Sequence, residues 1–135
     1  MRTDTKTATL TKWGGWSCVV IAIGHTVLLL TMSGGHVPGW LAGDLQWGIG
    51  TANGLASKVA YWSGPAGFPV PLLLLGLLAV GRAREGRAMP RYLGWTLLVW
   101  AAFNAYVGFP TGFLLVFIPA VLFVWDARSN PESRR

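Results

Sequence analysis

The sequence predicts an all-α integral membrane protein, a bundle of four helices that each cross the bilayer. Hydrophobic residues make up 53% of the chain and charged residues only 12%, about half the charged share of an average soluble domain. The 34 residues from Tyr92 to Trp125 include no Asp, Glu, Lys, Arg or His. One straight helix of that length would reach roughly 50 Å, whereas a bilayer's hydrocarbon core is about 30 Å thick. We therefore expect a hairpin of two spans that turns near Gly108–Gly112.

Two further apolar stretches precede this hairpin. Together with it they predict one membrane domain over residues 13–126. The first, Trp13–Met32, resembles a signal peptide in its basic start, but interface tryptophans open it and no Ala-x-Ala-like cleavage site follows. We interpret it as an uncleaved span. The predicted spans are 13–32, 59–80, 92–109 and 111–125, with cytoplasmic tails at 1–12 and 127–135.

The segment from 33 to 58 differs from the spans because glycine interrupts it repeatedly. Glycines at this frequency predict a long Gly-rich loop between spans 1 and 2. The second span carries Pro65, Pro69 and Pro71 in its first half. Proline breaks a helix in water, but neighbouring helices in a membrane bundle can satisfy the freed carbonyl groups.

The distribution of basic residues predicts the orientation. The two tails and the 82–91 turn hold ten of the eleven Lys and Arg residues, and the 33–58 loop holds only Lys58. By the positive-inside rule both ends lie in the cytoplasm and the long loop lies outside. We expect a multi-pass protein of a bacterial cytoplasmic (inner) membrane. The net charge of +6 reflects this topology, and no nucleic-acid partner is expected.

Two polar residues inside the spans are the candidate site. His25 lies roughly 10 Å below the outer boundary, counted back from Met32 at ~1.5 Å per residue, and Asn104 lies roughly 8 Å below it. An ionisable or amide side chain in lipid needs a partner, so both residues are candidate ligand contacts. The alternative is that each forms hydrogen bonds between helices. The predicted pocket combines His25 and Asn104, with Tyr61, Trp62 and Tyr106 near its mouth.

Metal and cofactor chemistry find little support in the sequence. His36 follows His25 by eleven residues, about 16 Å along a helix, which is too far for both to ligate one iron. No Cys-x-x-Cys, His-Glu-x-x-His or phosphate-binding loop is present. We expect no cofactor and no metal. Cys18, the single cysteine, has no internal disulfide partner.

Three sequence segments resemble a known family. They are Gly24-His25-Thr26, the stretch from Tyr61-Trp62-Ser63-Gly64 to Pro71, and Tyr92-Leu93-Gly94-Trp95-Thr96-Leu97. The family comprises small bacterial four-span membrane proteins catalogued as a domain of unknown function, and the resemblance covers roughly Trp13 to Val124. It implies four spans and singles out His25 and the 61–71 segment, without an activity or cofactor. The Gly-rich loop of this chain departs from the acidic loop expected for the family.

The function predicted from these features is binding of a lipid or lipophilic small molecule in the outer half of the bundle. One alternative is an enzyme that uses His25 as a catalytic acid or base on a lipid-soluble, isoprenoid-like substrate. Another is a structural or accessory subunit of a membrane complex. Membrane lipids are the expected partners, and a homodimer or a membrane-protein partner stays open.

Overall fold

The computed structural model describes residues 5–47, 52–64, 66–108 and 112–129. The predicted turn at 109–111 and most of the predicted C-terminal tail lie outside these ranges. The described residues are helical, with no strand among them. The predicted all-α class is confirmed for this part of the chain.

Seven α-helices follow one another along the described chain. They are α1 Thr5–Met32, α2 Val37–Leu41, α3 Asp44–Trp47, α4 Ala52–Ser63, α5 Pro69–Arg84, α6 Arg91–Val107 and α7 Phe117–Ser129. Short 3-10 helices cover Gly34–His36 and Gly112–Val116. The segment predicted as a loop between spans 1 and 2 thus contains α2, α3 and the start of α4.

Within the described residues, two stretches are long and apolar enough to cross a membrane, Thr9–Met32 and Gly112–Ser129. The first contains the predicted span 13–32, and the second covers residues 112–125 of the predicted span 111–125. Helix α1 begins at Thr5, eight residues before the predicted span. Helices α5 and α6 have 16 and 17 residues, which corresponds to roughly 24 and 26 Å.

The second predicted span is divided into two helices. Helix α4 ends at Ser63 and α5 begins at Pro69. Pro69 and Pro71 stand in the first turn of α5, where a backbone N–H has no intrahelical acceptor and proline therefore costs little. The prolines thus set the break.

The chain forms two compact units. One unit comprises Met1–Ile21 with Leu74–Arg135, and the other comprises Ala22–Leu73. In the first unit, α6 packs along α7. In the second, the short helices α2 and α3 pack on each other and α3 contacts α4.

Small residues lie where helices of the first unit meet. A Cβ atom built on Gly15 would lie 2.8 Å from the carbonyl oxygen of Gly76, and one on Gly76 would lie 2.7 Å from that of Gly15. A Cβ on Gly94 would lie 2.9 Å from the backbone nitrogen of Val124. The backbones of α1 and α5, and those of α6 and α7, therefore approach too closely for any side chain between them, as in membrane helix pairs.

Large apolar side chains lie on the outside of the same helices. Exposed side chains recur every three or four residues along each long helix, so each has an apolar outer stripe. The stripe residues are Trp13, Trp16, Val20, Ile23 and Val27 in α1, Val70, Leu74 and Leu77 in α5, Tyr92, Trp95, Val99, Phe103 and Tyr106 in α6, and Ile118, Val121 and Trp125 in α7. The core holds large side chains too, such as Phe123 and Met89, but a soluble bundle does not expose apolar stripes of this length.

A buried polar cluster joins three segments of the first unit. The Thr11 hydroxyl of α1 donates to Oδ2 of Asp126 in α7. The same hydroxyl oxygen accepts the backbone N–H of Met89, 3.3 Å away, from the segment between α5 and α6. Thr11, Met89 and Asp126 are all fully buried. Asp126 Oδ1 has no hydrogen-bond partner among the described residues.

The close approach of α1 and α5 predicts a large difference between two glycines of α5. Gly76→Ala should lower the free energy of unfolding by about 1–3 kcal/mol, the usual cost of overpacking. Gly81→Ala is the matched control, because a Cβ there meets nothing within 4 Å. Thermal unfolding in detergent, followed by tryptophan fluorescence, measures both. Equal midpoints for the two variants would contradict the packing.

The polar cluster predicts a second difference. Thr11→Val preserves the shape of the side chain but leaves the Met89 N–H and Oδ2 of Asp126 without this partner, at about 1–3 kcal/mol for each buried group that loses its hydrogen bond. Thr11→Ser keeps the hydroxyl and should unfold within a few degrees of the wild type. The same fluorescence measurement compares them. If the Thr11→Val protein were as stable as the Thr11→Ser protein, the hydroxyl would contribute nothing to the stability of the fold.

Candidate ligand site around His25

His25 lies in the second unit, where α1 passes the break between α4 and α5. Its Nε2 lies 3.4 Å from the carbonyl oxygen of Ser63, the last residue of α4. The last carbonyls of a helix have no intrahelical donor. The imidazole N–H thus reaches one of the carbonyl groups that the break leaves open, which explains why a polar side chain is placed in this apolar helix.

The imidazole ring also packs on an aromatic side chain. The centroids of the His25 and Phe68 rings are 4.4 Å apart and the rings are tilted by 55°. Phe68 directly precedes Pro69, the start of α5. One side chain of α1 therefore contacts residues on both sides of the break. A neutral imidazole that donates through Nε2 presents Nδ1 as an acceptor, so the ring can accept a hydrogen bond from a hydroxyl group.

Residues next to His25 and Phe68 in the sequence line an apolar groove of about 250 Å³. Its lining comes from α1 and the start of α5, and Thr26 and Pro69 directly follow His25 and Phe68. The lining residues are Ala22, Ile23, Thr26, Val27, Pro69, Val70 and Leu73. The Thr26 hydroxyl donates to the carbonyl oxygen of Ala22, so the groove offers almost no polar contact of its own. Such a lining suits an acyl or isoprenoid chain.

Tyr61 and Trp62, predicted at the mouth of the pocket, belong to an aromatic cluster of the second unit. Tyr61 packs edge-on against Trp40 and Trp62, with ring centroids 5.5 and 6.0 Å apart. The Trp40 indole N–H donates to the Ser57 hydroxyl at 2.9 Å. These contacts fix helix α2 on α4. Trp62 remains 66% exposed, as suits a ring at a membrane interface.

Asn104 and Tyr106 lie on α6, in the first unit. The Asn104 side-chain amide donates to the carbonyl oxygen of Trp100 at 2.8 Å, within its own helix. Tyr106 is 87% exposed. The predicted pocket shared by His25 and Asn104 stays a prediction. Sequence reasoning had missed the partner of His25, although the prolines after Ser63 were a signal that a carbonyl would need a donor nearby.

Metal ligation has no geometric basis in the described residues. They contain no group of three His, Cys, Asp or Glu side chains able to hold a metal ion. Cys18 is a free thiol, fully buried in the first unit.

Comparison of the chain with models of protein families, with curated proteins and with solved structures gave no match. The function is therefore argued from the residues and the geometry of the chain itself.

The position of His25 in the outer half of a membrane can be tested by cysteine labelling. In a Cys18→Ala background, we expect a membrane-impermeant thiol reagent added to intact cells to label Thr31→Cys most, His25→Cys less, and Ile23→Cys least. Thr31 lies near the outer end of α1, whereas Ile23 is 52% exposed on the apolar stripe, where lipid would exclude the reagent. Labelling is quantified by gel shift. An unlabelled His25→Cys beside a labelled Thr31→Cys would rule out a pocket open to the outside.

Proposed function

We propose that this chain is a four-span protein of a bacterial cytoplasmic membrane that binds a lipid or lipophilic small molecule through a hydroxyl group, at His25. The four crossings are α1, the broken pair α4 and α5, α6, and α7 with the 3-10 turn before it. Both ends lie in the cytoplasm. The protein binds its ligand in the outer half of the bundle, along the groove beside His25.

The observation that carries the membrane part is the amount of large apolar surface on the outside of the helices. Glycines lie at the closest backbone contacts, beside buried side chains such as Phe123 and Leu97, and other large apolar side chains face outward on every long helix. In water these outer stripes would aggregate. In lipid they cost nothing, and small residues let the helices attract one another by close packing. The basic turn and tails support the orientation.

The ligand part rests on the pairing of an apolar groove with one polar group. The groove between α1 and the start of α5 can accept an acyl or isoprenoid chain, and the imidazole Nδ1 can accept a hydrogen bond from a hydroxyl. Few polar groups at the edge of an apolar cleft are typical of small-molecule sites.

Native mass spectrometry of gently extracted protein tests the proposal. We expect the wild type, recovered in the carbonate-resistant membrane fraction, to retain a co-extracted lipophilic adduct. Val27→Trp should remove most of it, because the indole would occupy part of the groove. His25→Ala should weaken retention about tenfold, the effect of losing one hydrogen bond worth ~1.4 kcal/mol.

Val99→Trp is the matched control, since Val99 is 66% exposed on the stripe of α6. It adds the same bulk at a lipid-facing position that does not line the groove, and it should retain the adduct. A wild type without any adduct, or equal retention in the Val27 and Val99 variants, would contradict the ligand site. Turnover of a bound lipid that stops in His25→Ala would instead favour the enzyme alternative. A co-purified protein partner with unchanged binding in His25→Gln would favour the accessory subunit.

A further inference from the structure

A second groove, in the first unit, combines apolar walls with a positive charge. It has a volume of about 400 Å³ and lies between the start of α6 and the last turns of α7. Its walls come from both helices. They include Trp95, Leu98, Val121, Val124, Trp125 and Arg128.

The arginine of this groove is held over an indole ring. The Arg128 guanidinium carbon is 5.5 Å from the centroid of Trp95, within the range of a cation–π contact. Among the described residues, no carboxylate pairs with Arg128. The ion pair found there joins Arg87 to Glu85. Trp95 thus orients a guanidinium whose N–H groups remain available to an anion.

The lining changes from polar to apolar along the groove. The Ser129 hydroxyl, which donates to the Trp125 carbonyl oxygen at 3.1 Å, lies beside Arg128 at the end of α7. Leu98 and Val121 lie further from the ends of α6 and α7 that meet here. One charged end followed by an apolar wall matches a phosphate group followed by an acyl chain.

The surroundings favour an anionic lipid over a neutral one. Arg82 and Arg84 lie in the last turn of α5, and Arg87 lies in the turn that leads to α6, so the start of α6 and the end of α7 share the basic end of the unit. In the proposed topology this end faces the cytoplasm. Basic groups at that level attract anionic headgroups, and arginine binds phosphate through its planar, fork-like arrangement of donors.

We propose that this groove binds one anionic phospholipid of the inner leaflet, with its phosphate on Arg128 and an acyl chain along Leu98, Val121 and Val124. The site is separate from the His25 groove and rests only on the membrane placement given above. It would fix the depth of α6 and α7 at the cytoplasmic surface.

Lipid titration in native mass spectrometry tests this site. The full-length chain in detergent micelles is titrated with palmitoyl-oleoyl phosphatidylglycerol or with the matching phosphatidylcholine. We expect wild type to bind the first phosphatidylglycerol at least fivefold more tightly than phosphatidylcholine. Arg128→Gln should lose about fivefold of that affinity, as expected for removing one basic group at a charged surface. Arg128→Lys, which keeps the charge, should retain more of it.

Arg84→Gln is the matched control, because it removes the same charge from an exposed arginine at the end of α5, outside the groove. It should lose clearly less affinity than Arg128→Gln, since Arg84 adds to the surface charge but does not line the groove. Soluble glycerophosphate should not compete, since it lacks the acyl chain. Equal affinity for the two lipids in wild type, or equal losses in the Arg84 and Arg128 variants, would overturn the proposal. A chain absent from the carbonate-resistant membrane fraction would overturn the membrane placement itself, whereas an integrated chain without lipid preference would overturn only this site.

Discussion

The contact of bare backbone between α1 and α5 is the constraint on which the first unit depends. At Gly15 and Gly76 each helix occupies the space that a side chain of the other would need. In the proposed membrane placement lipid provides no hydrophobic force to press helices together, so attraction between them would come from close packing and hydrogen bonds. The close backbone contact at these glycines meets that requirement, and the large apolar side chains on the outer surface would face the lipid.

Composition and charge placement were enough to predict the helical class and the end of the first span at Met32. Helix α1 ends at Met32 as predicted, since Ser33, Gly34 and Gly35 follow a continuous apolar run. Local patterns could not predict that α1 begins at Thr5. Its first turns are polar, and what buries Thr11 is Asp126, a residue 115 positions away. A long-range contact of this kind cannot be recognised from the hydropathy of the local sequence.

The candidate site shows the same limit. His25 was recognisable because an imidazole in an apolar span needs a partner, but its partner is a backbone carbonyl and no residue type encodes it. The prolines that break the second span create this partner, because they end α4 at Ser63 while α1 continues past it. The imidazole is thus held at the break whatever else it binds. A residue that must hold a helix end in place has a fixed ring orientation, which is also what a ligand contact requires.

The link from Thr11 to Asp126 has a consequence for biosynthesis. Translation adds roughly 5–20 residues per second, so about 6 to 23 s separate the synthesis of the two partners. During that interval the Thr11 hydroxyl has no carboxylate to which it can donate. Closure of the first unit is consequently a late event, which follows the emergence of α7 from the ribosome. The first turns of α1 therefore stay without this partner until the end of the chain has been made.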